Sequence, residues 1–305
     1  MRRTLALVVL LIVFVAPAAA HTNHVSADAQ ISADGTVVVE ALFPADDAWL
    51  ALHLDDGGDP GAVVGYRRVA GGEFHEDTPV KIENETWRNW TDSRRLHVVL
   101  HNPDGDGEFD PAEDEAIVSF GDVVGDELWL EKGSTARVTD ESFGPEETDD
   151  STISIRSAHI PDDGYVVLHN GSADGAVVGH TALEAGGHDS VQVALDEAFY
   201  RDRGEQFTVF ATLVVDDGDG KFDADDSRLA VDGEPVGTLL GVTKVDNGTA
   251  TGETESAGSA STATATTATS PVDQGSPVGI GGLETGAIVA AAFAAILWWR
   301  SRRSG

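Results

Sequence analysis

The 305-residue chain has no cysteine, one methionine, three tyrosines and only four lysines, Lys81, Lys132, Lys221 and Lys244. Without a thiol it can carry neither a lipid-modified cysteine anchor nor a thiolate ligand for zinc. Any transition-metal site would therefore have to gather three imidazoles. Catalytic signatures are lacking as well: there is no nucleophile elbow, no phosphate-binding glycine loop and no helix-borne His-Glu-x-x-His. Carboxylates are so dense, 53 Asp and Glu in all, that no single pair of them signals glycoside hydrolysis. No catalytic residue is assigned, and the expectation is a non-enzymatic protein. Cationic side chains are scarce: 19 Lys and Arg leave a formal net charge of -34, which argues against a nucleic-acid partner. Such a charge repels itself at low salt and is screened well only where the Debye length falls to about 3 Å, near molar salt. Many carboxylates with little lysine therefore read as adaptation to concentrated salt.

The two ends set the compartment. Arg2 and Arg3 precede the apolar run Leu5 to Val15, and Ala18-Ala19-Ala20 supplies a small-residue cleavage site, so residues 1–20 read as a signal peptide and His21 as the first mature residue. At the other end, Gly286 to Trp299 is uncharged and is followed at once by Arg300, Arg302 and Arg303. A bilayer-spanning helix needs about 20 residues, so residues 277–299 are expected to form it, with 300–305 left in the cytoplasm by the positive-inside rule. The expected location is the cell surface, with the ectodomain outside the plasma membrane.

Between the ends the sequence repeats. Trp49-Leu50-Ala51-Leu52-His53 recurs as Tyr165-Val166-Val167-Leu168-His169, Gly61-Ala62-Val63-Val64-Gly65 as Gly175-Ala176-Val177-Val178-Gly179, and Ala70-Gly71-Gly72 as Ala185-Gly186-Gly187. Asp104-Gly105-Asp106-Gly107-Glu108-Phe109-Asp110 recurs as Asp217-Gly218-Asp219-Gly220-Lys221-Phe222-Asp223. Ordered matches at nearly constant offset indicate two copies of one domain, expected over 21–143 and 151–245 with a linker at 144–150. The apolar runs are short, β-branched and bounded by Gly, Asp and Pro, as in Thr36 to Phe43, Leu96 to Leu100, Tyr165 to Leu168, Ser190 to Leu195 and Phe207 to Val215. The fold class expected is all-β, each repeat an immunoglobulin-like β-sandwich. Only Glu197 to Arg203 and the region from Trp87 to Ser93 look capable of a helical turn. Residues 246–276, rich in Thr, Ser, Ala and Gly, cannot bury enough surface to fold and read as a stalk.

The stretch Tyr165 to Ser172, followed by Gly175 to Gly179, Leu183 to His188 and the acidic turn Asp217 to Asp223, resembles a haloarchaeal family of uncharacterised surface domains that occur in tandem. The resemblance implies a surface protein and no particular activity. The C-terminal tail is similar to the archaeal sorting signal of motif, helix and arginine cluster, with Ser276-Pro277-Val278-Gly279 standing where that signal has Pro-Gly-Phe.

The most specific chemical pattern is Asn102-x-Asp104-x-Asp106-Gly107-Glu108-Phe109-Asp110-x-x-Glu113, the side-chain spacing of a twelve-residue calcium loop. Calcium takes six to eight oxygen ligands, which this spacing can converge around the glycine turn at its sixth position. Asn102, Asp104, Asp106, Asp110 and Glu113 would offer side chains and Glu108 its backbone carbonyl. The second repeat keeps Asp217, Asp219, Asp223 and Asp226 but has Val215 at the first position, so its loop is expected to bind more weakly. The competing reading of both is a solvated acidic turn. His53 and His169 sit at equivalent strand ends, with His180 and His188 farther on, and read as surface or capping residues rather than a metal cluster. Sequons at Asn84, Asn89, Asn170 and Asn247 are candidate N-glycosylation sites. Calcium is thus the one expected cofactor. The expected partners are the membrane, through one helix, and other envelope proteins or glycans. The alternative function is capture of a small solute or metal ion.

Overall fold

The computed structural model describes residues 23–140 and 145–245. The segments expected to be a signal peptide, a stalk, a membrane helix and a cytoplasmic tail, and Asn247, lie outside the described residues. Among the described residues no helix is long and apolar enough to cross a membrane.

The chain is all-β, in two tandem domains. The first runs β1 (His24–Ser26), β2 (Gln30–Ser32), β3 (Thr36–Phe43), β4 (Ala48–Asp56), β5 (Asp59–Val69), β6 (His75–Lys81), α1 (Asn84–Arg88), β7 (Arg94–His101), β8 (Val118–Ser119), β9 (Asp122–Val123) and β10 (Gly125–Lys132). The second runs β11 (Arg137–Thr139), β12 (Glu146–Thr148), β13 (Thr152–Ile160), β14 (Gly164–Asn170), β15 (Val177–Leu183), β16 (Gly186–Ala194), α2 (Glu197–Asp202), β17 (Gln206–Val215), β18 (Ser227–Arg228), β19 (Ala230–Val231), β20 (Glu234–Pro235) and β21 (Gly237–Lys244).

The sequence repeat is a repeat of topology. The first domain has a sheet ordered β1-β3-β6 and another ordered β2-β10-β7-β4-β5; the second has β11-β13-β16 and β12-β21-β17-β14-β15, with β18 added on β17. In each domain the short strand at the edge of the larger sheet pairs in parallel, β2 with β10 and β12 with β21. The pairings of β4 with β5 and β7, and of β14 with β15 and β17, are antiparallel. By packing, the described residues fall into two compact units, one from 23–27, 38–88 and 95–127, the other from 28–37, 89–94, 128–140 and 145–245.

Alternation of buried and half-exposed residues along β3 and β13 shows one face turned inward and one outward. In the second unit Ile153, Ile155, Ile160, Val166, Leu168, Leu213 and Leu240 are the centre of the core. β4 and β14 break the alternation, because residues 48–53 and 164–169 are buried on both faces. Something must therefore cover the outer face of each larger sheet. The helical turn expected from Trp87 to Ser93 lies earlier, at Asn84–Arg88, where Trp87 is the buried residue.

Candidate functional site

The cover is the acidic loop. After β7 the chain leaves the sheet at Asn102, whose N–H donates to Glu115 O at 2.9 Å, and folds back so that Phe109 meets Trp49, Tyr66 and His101 at centroid distances of 5.7, 4.8 and 5.3 Å. After β17 the second loop places Phe222 against Tyr165 and His180 at 5.4 and 4.5 Å. The phenylalanine in each Asp-Gly repeat is thus a hydrophobic pin, and His180 is part of the cluster it enters. A separate small cluster of Tyr165, Val167 and Val214, with Phe222 packed against it, makes up the outer layer of the second unit.

Each loop is built on bonds from backbone N–H groups to aspartate side chains. In the first, Asp104 accepts from Asp106 N–H at 2.9 Å, Asp106 from Glu108 N–H at 2.8 Å and Asp110 from Ala112 N–H at 2.8 Å. Asp114, 1% exposed, closes the loop: its two carboxylate oxygens accept from Asp104 N–H and Asp110 N–H, both at 2.8 Å. In the second loop Asp217 accepts from Asp219 N–H, Asp219 from Lys221 N–H and Asp223 from Asp225 N–H. Asp226 closes this loop, accepting from Asp217 N–H and Asp223 N–H at 3.1 and 2.9 Å. Asp114 and Asp226 are therefore structural equivalents, offset by one residue from the sequence alignment because the first loop is one residue longer. Both glycines of each Asp-Gly pair have positive φ, 102° and 87° at Gly105 and Gly107, and 102° and 74° at Gly218 and Gly220. That conformation makes glycine the fitting residue.

Some of the side chains the spacing suggested converge, Asp104, Asp106 and Glu113 in the first loop and Asp217 and Asp219 in the second, and the rest are placed elsewhere in the turns. In the first loop Asp104, Asp106 and Glu113 each present an oxygen within 4.8 Å of the others, all exposed. Glu108 and Asp110 serve the backbone scaffold just described, and Asn102 enters it through its N–H. In the second loop the group is Asp216, Asp217 and Asp219 within the same distance. Asp223 and Asp226 hold the turn together instead, and Asp216 makes up for Val215. The expected ranking of the first loop above the second loses its basis there. No sequence position pointed to Asp114 or Asp216, because each owes its role to where the loop returns.

Electrostatics follow the bonding. Bonds from Gly220 N–H and from the Tyr165 hydroxyl hold Asp216 below the ordinary carboxylate range. Burial, helped by the 2.9 Å bond to Asp216, pushes the Tyr165 hydroxyl up to about 12. Asp217 accepts from Asp219 N–H, which favours its anion, but desolvation and the carboxylates of Asp219, Asp223 and Asp226 outweigh that bond and raise its pKa.

The histidines also depart from expectation. His53 and His169 are 5% and 8% exposed, so they are interior groups rather than surface caps. Their Nδ1 atoms lie 2.9 and 3.1 Å from Gly61 O and Gly175 O. Burial lowers the pKa of both. His188 is half-buried and its Nε2 lies 2.6 Å from Glu184 O. Of the sequons, Asn84 begins α1 and Asn89 follows it, both exposed, while Asn170 is half-buried at the end of β14.

Two curated relatives, cell surface glycoproteins 1 and 2 of Haloarcula hispanica, are 29% and 28% identical to this chain over 164 and 166 residues. The match takes in 52% and 53% of the chain but only 16% of either relative. Among solved structures, the BSP domain of a biofilm-associated protein matches at a TM-score of 0.33 and 14% identity, over 73% of this chain and 29% of that one. The calcium-binding domain CBD12 of CALX1.1 matches at 0.20 and 9%, over 65% of this chain and 82% of that one. Scores this low carry no argument. The family model "Domain of unknown function (DUF7282)" matches residues 23–131 and again 140–251. The chain belongs to the DUF7282 family and carries its domain in two tandem copies.

Proposed function

We propose that the chain is a non-enzymatic surface protein of a salt-adapted cell, presenting its tandem β domains outside the membrane for envelope structure or adhesion. The observation that supports this most is the likeness of half of the chain to two haloarchaeal cell surface glycoproteins. The net charge of -34 fits exposure to concentrated salt, and the loops that cap each sheet are turns held by their own backbone bonds rather than walls of a cleft. The signal-like N-terminus and the arginine-flanked apolar C-terminus supply export and anchorage. Protease added to intact cells removes the ectodomain and leaves a short C-terminal fragment with the membrane. Survival of the whole chain, while another surface protein in the same cells is digested, would sink the reading.

A second reading is favoured by one geometric fact. Carboxylate oxygens within 4.8 Å of one another can share a cation that holds oxygens at about 2.3–2.6 Å, so Asp104, Asp106 and Glu113 match calcium, as do Asp216, Asp217 and Asp219. Affinity on the order of 10⁻⁴ to 10⁻³ M, the range of extracellular calcium modules, is expected in competition with concentrated salt. Calcium at millimolar level raises the unfolding temperature of the full chain, and Asp104→Asn combined with Asp106→Asn reduces the rise. An unchanged response with both loops so altered, including Asp217→Asn and Asp219→Asn, leaves the loops as turns only.

A further inference from the structure

Beneath the first acidic loop, His53 and His101 meet head to head. Their Nε2 atoms are 3.0 Å apart, and the rings are nearly parallel at 9° with centroids 5.1 Å apart. The centroid distance exceeds the nitrogen distance by about two ring radii, so the nitrogens face each other almost along the centroid line. That is the geometry of one linear N–H···N bond, not of two lone pairs turned sideways toward a shared metal ion. The opposite edge of each ring is committed. His53 Nδ1 lies 2.9 Å from Gly61 O and His101 Nδ1 lies 2.8 Å from Asp114 O. A carbonyl oxygen only accepts, so each Nδ1 must carry a hydrogen. Two neutral rings with hydrogen on Nδ1 would then press two Nε2 lone pairs together, in a site where the residues are 5% and 4% exposed and no water layer separates them. One extra proton satisfies all three contacts.

We propose that His53 and His101 share a single extra proton between their Nε2 atoms, one of the two rings being an imidazolium, so that the pair binds one proton and not two. The second domain supplies an internal comparison. His169 Nδ1 faces Gly175 O in the same way, but its Nε2 lies 3.1 Å from the Thr212 hydroxyl. A hydroxyl can donate to a neutral ring, and that site needs no charge. Burial pushes His53 and His101 below the ordinary histidine range, so it opposes the first proton as well as a second, and the bond between the two Nε2 atoms is what offsets it for the first alone. The charged groups around the pair come from each strand beside it. His97 on β7 lies across from His53, with Asp55 of β4 at 2.8 Å and Glu127 of β10 at 3.7 Å. Arg68 of β5 stands over Trp49, Arg95 pairs with Glu127 at 3.4 Å, and Asp114 is on the loop itself. The pair ties β4 to the residue that closes the acidic loop, because the same Asp114 that accepts from His101 through its carbonyl caps Asp104 and Asp110 through its carboxylate.

Nitrogen-15 NMR of the histidine-labelled full chain in concentrated potassium chloride, titrated from about pH 8 to about pH 5, tests the proposal. The expected result is uptake of one proton by the pair, hydrogen on three of its four ring nitrogens, and a scalar coupling between the two Nε2 nuclei that appears with that proton. His53→Gln offers His101 an uncharged amide N–H in place of the ring, and it loses both the coupling and the proton uptake. Two neutral rings throughout, uptake of two protons, uptake without coupling, or uptake that persists in His53→Gln each overturns it.

Discussion

Asp114 and Glu113 are neighbours in sequence with opposite roles. Asp114 is buried and holds two backbone N–H groups, whereas Glu113 is exposed and converges with Asp104 and Asp106. Asp114→Ala leaves two donors without their acceptor and is expected to cost about 1–3 kcal/mol, read by denaturant unfolding. Glu113→Gln at the exposed site changes stability by less than about 0.5 kcal/mol while weakening any calcium response. Equal losses from the two variants would show that the closure does not belong to Asp114. His169 gives a pH prediction with a definite sign. Burial lowers its folded pKa, so its contribution to stability is present above the unfolded value near 6.5 and is lost as pH falls through the folded one. Across that window His169→Gln flattens the fall of unfolding free energy, by at most about 1.4 kcal/mol per pH unit. A slope identical to that of the native chain rules this out.

At the scale of elements, the two glycines that end the repeated Gly-Ala-Val-Val-Gly stretch mark where strands of different sheets approach. A Cβ built on Gly65 would lie 2.4 Å from Lys81 O, and one on Gly179 would lie 2.4 Å from Ala194 O. Neither oxygen can move without shifting β6 or β16. Gly179→Ala is therefore expected to destabilise the second domain by about 1–3 kcal/mol, as overpacking does, with a lowered unfolding midpoint as the readout. Gly204→Ala, which meets nothing within 4 Å, is the control that keeps its midpoint. The strands themselves were legible: Thr36 to Phe43 is β3 as read, and the run from Phe207 is β17 within one residue. The turn expected around Trp87 to Ser93 was displaced because local pattern does not say which tryptophan is buried as an anchor within the helix. Trp87 fills that place, and Trp90, also buried, lies beyond the helix end.

For the whole molecule, charge is the governing quantity. With a formal charge of -34, self-repulsion opposes compaction until salt screens it. The unfolding temperature is expected to climb steadily as potassium chloride is raised toward molar concentration, followed by circular dichroism at fixed pH. A midpoint indifferent to salt contradicts adaptation to brine. Among the described residues the buried carboxylates and imidazoles are those of Glu40, Asp114, Asp140, His53, His97, His101 and His169, while the other acidic residues are half-buried or exposed.

Composition, repeat and strand identity were decided locally, since alternation, β-branching and Asp-Gly turns act within a few residues and are readable one residue at a time. The acidic loops were found by the same means, down to the glycines that their positive φ requires. Which carboxylates converge, which one closes each loop, and whether a histidine is buried or exposed depended on contacts between residues far apart in sequence. Asp104 with Asp114, His53 with His101 and Tyr165 with Asp216 are 10, 48 and 51 residues apart. Only the fold decides such pairings, because a side chain's partner is set by where the backbone brings it and not by the residues on either side.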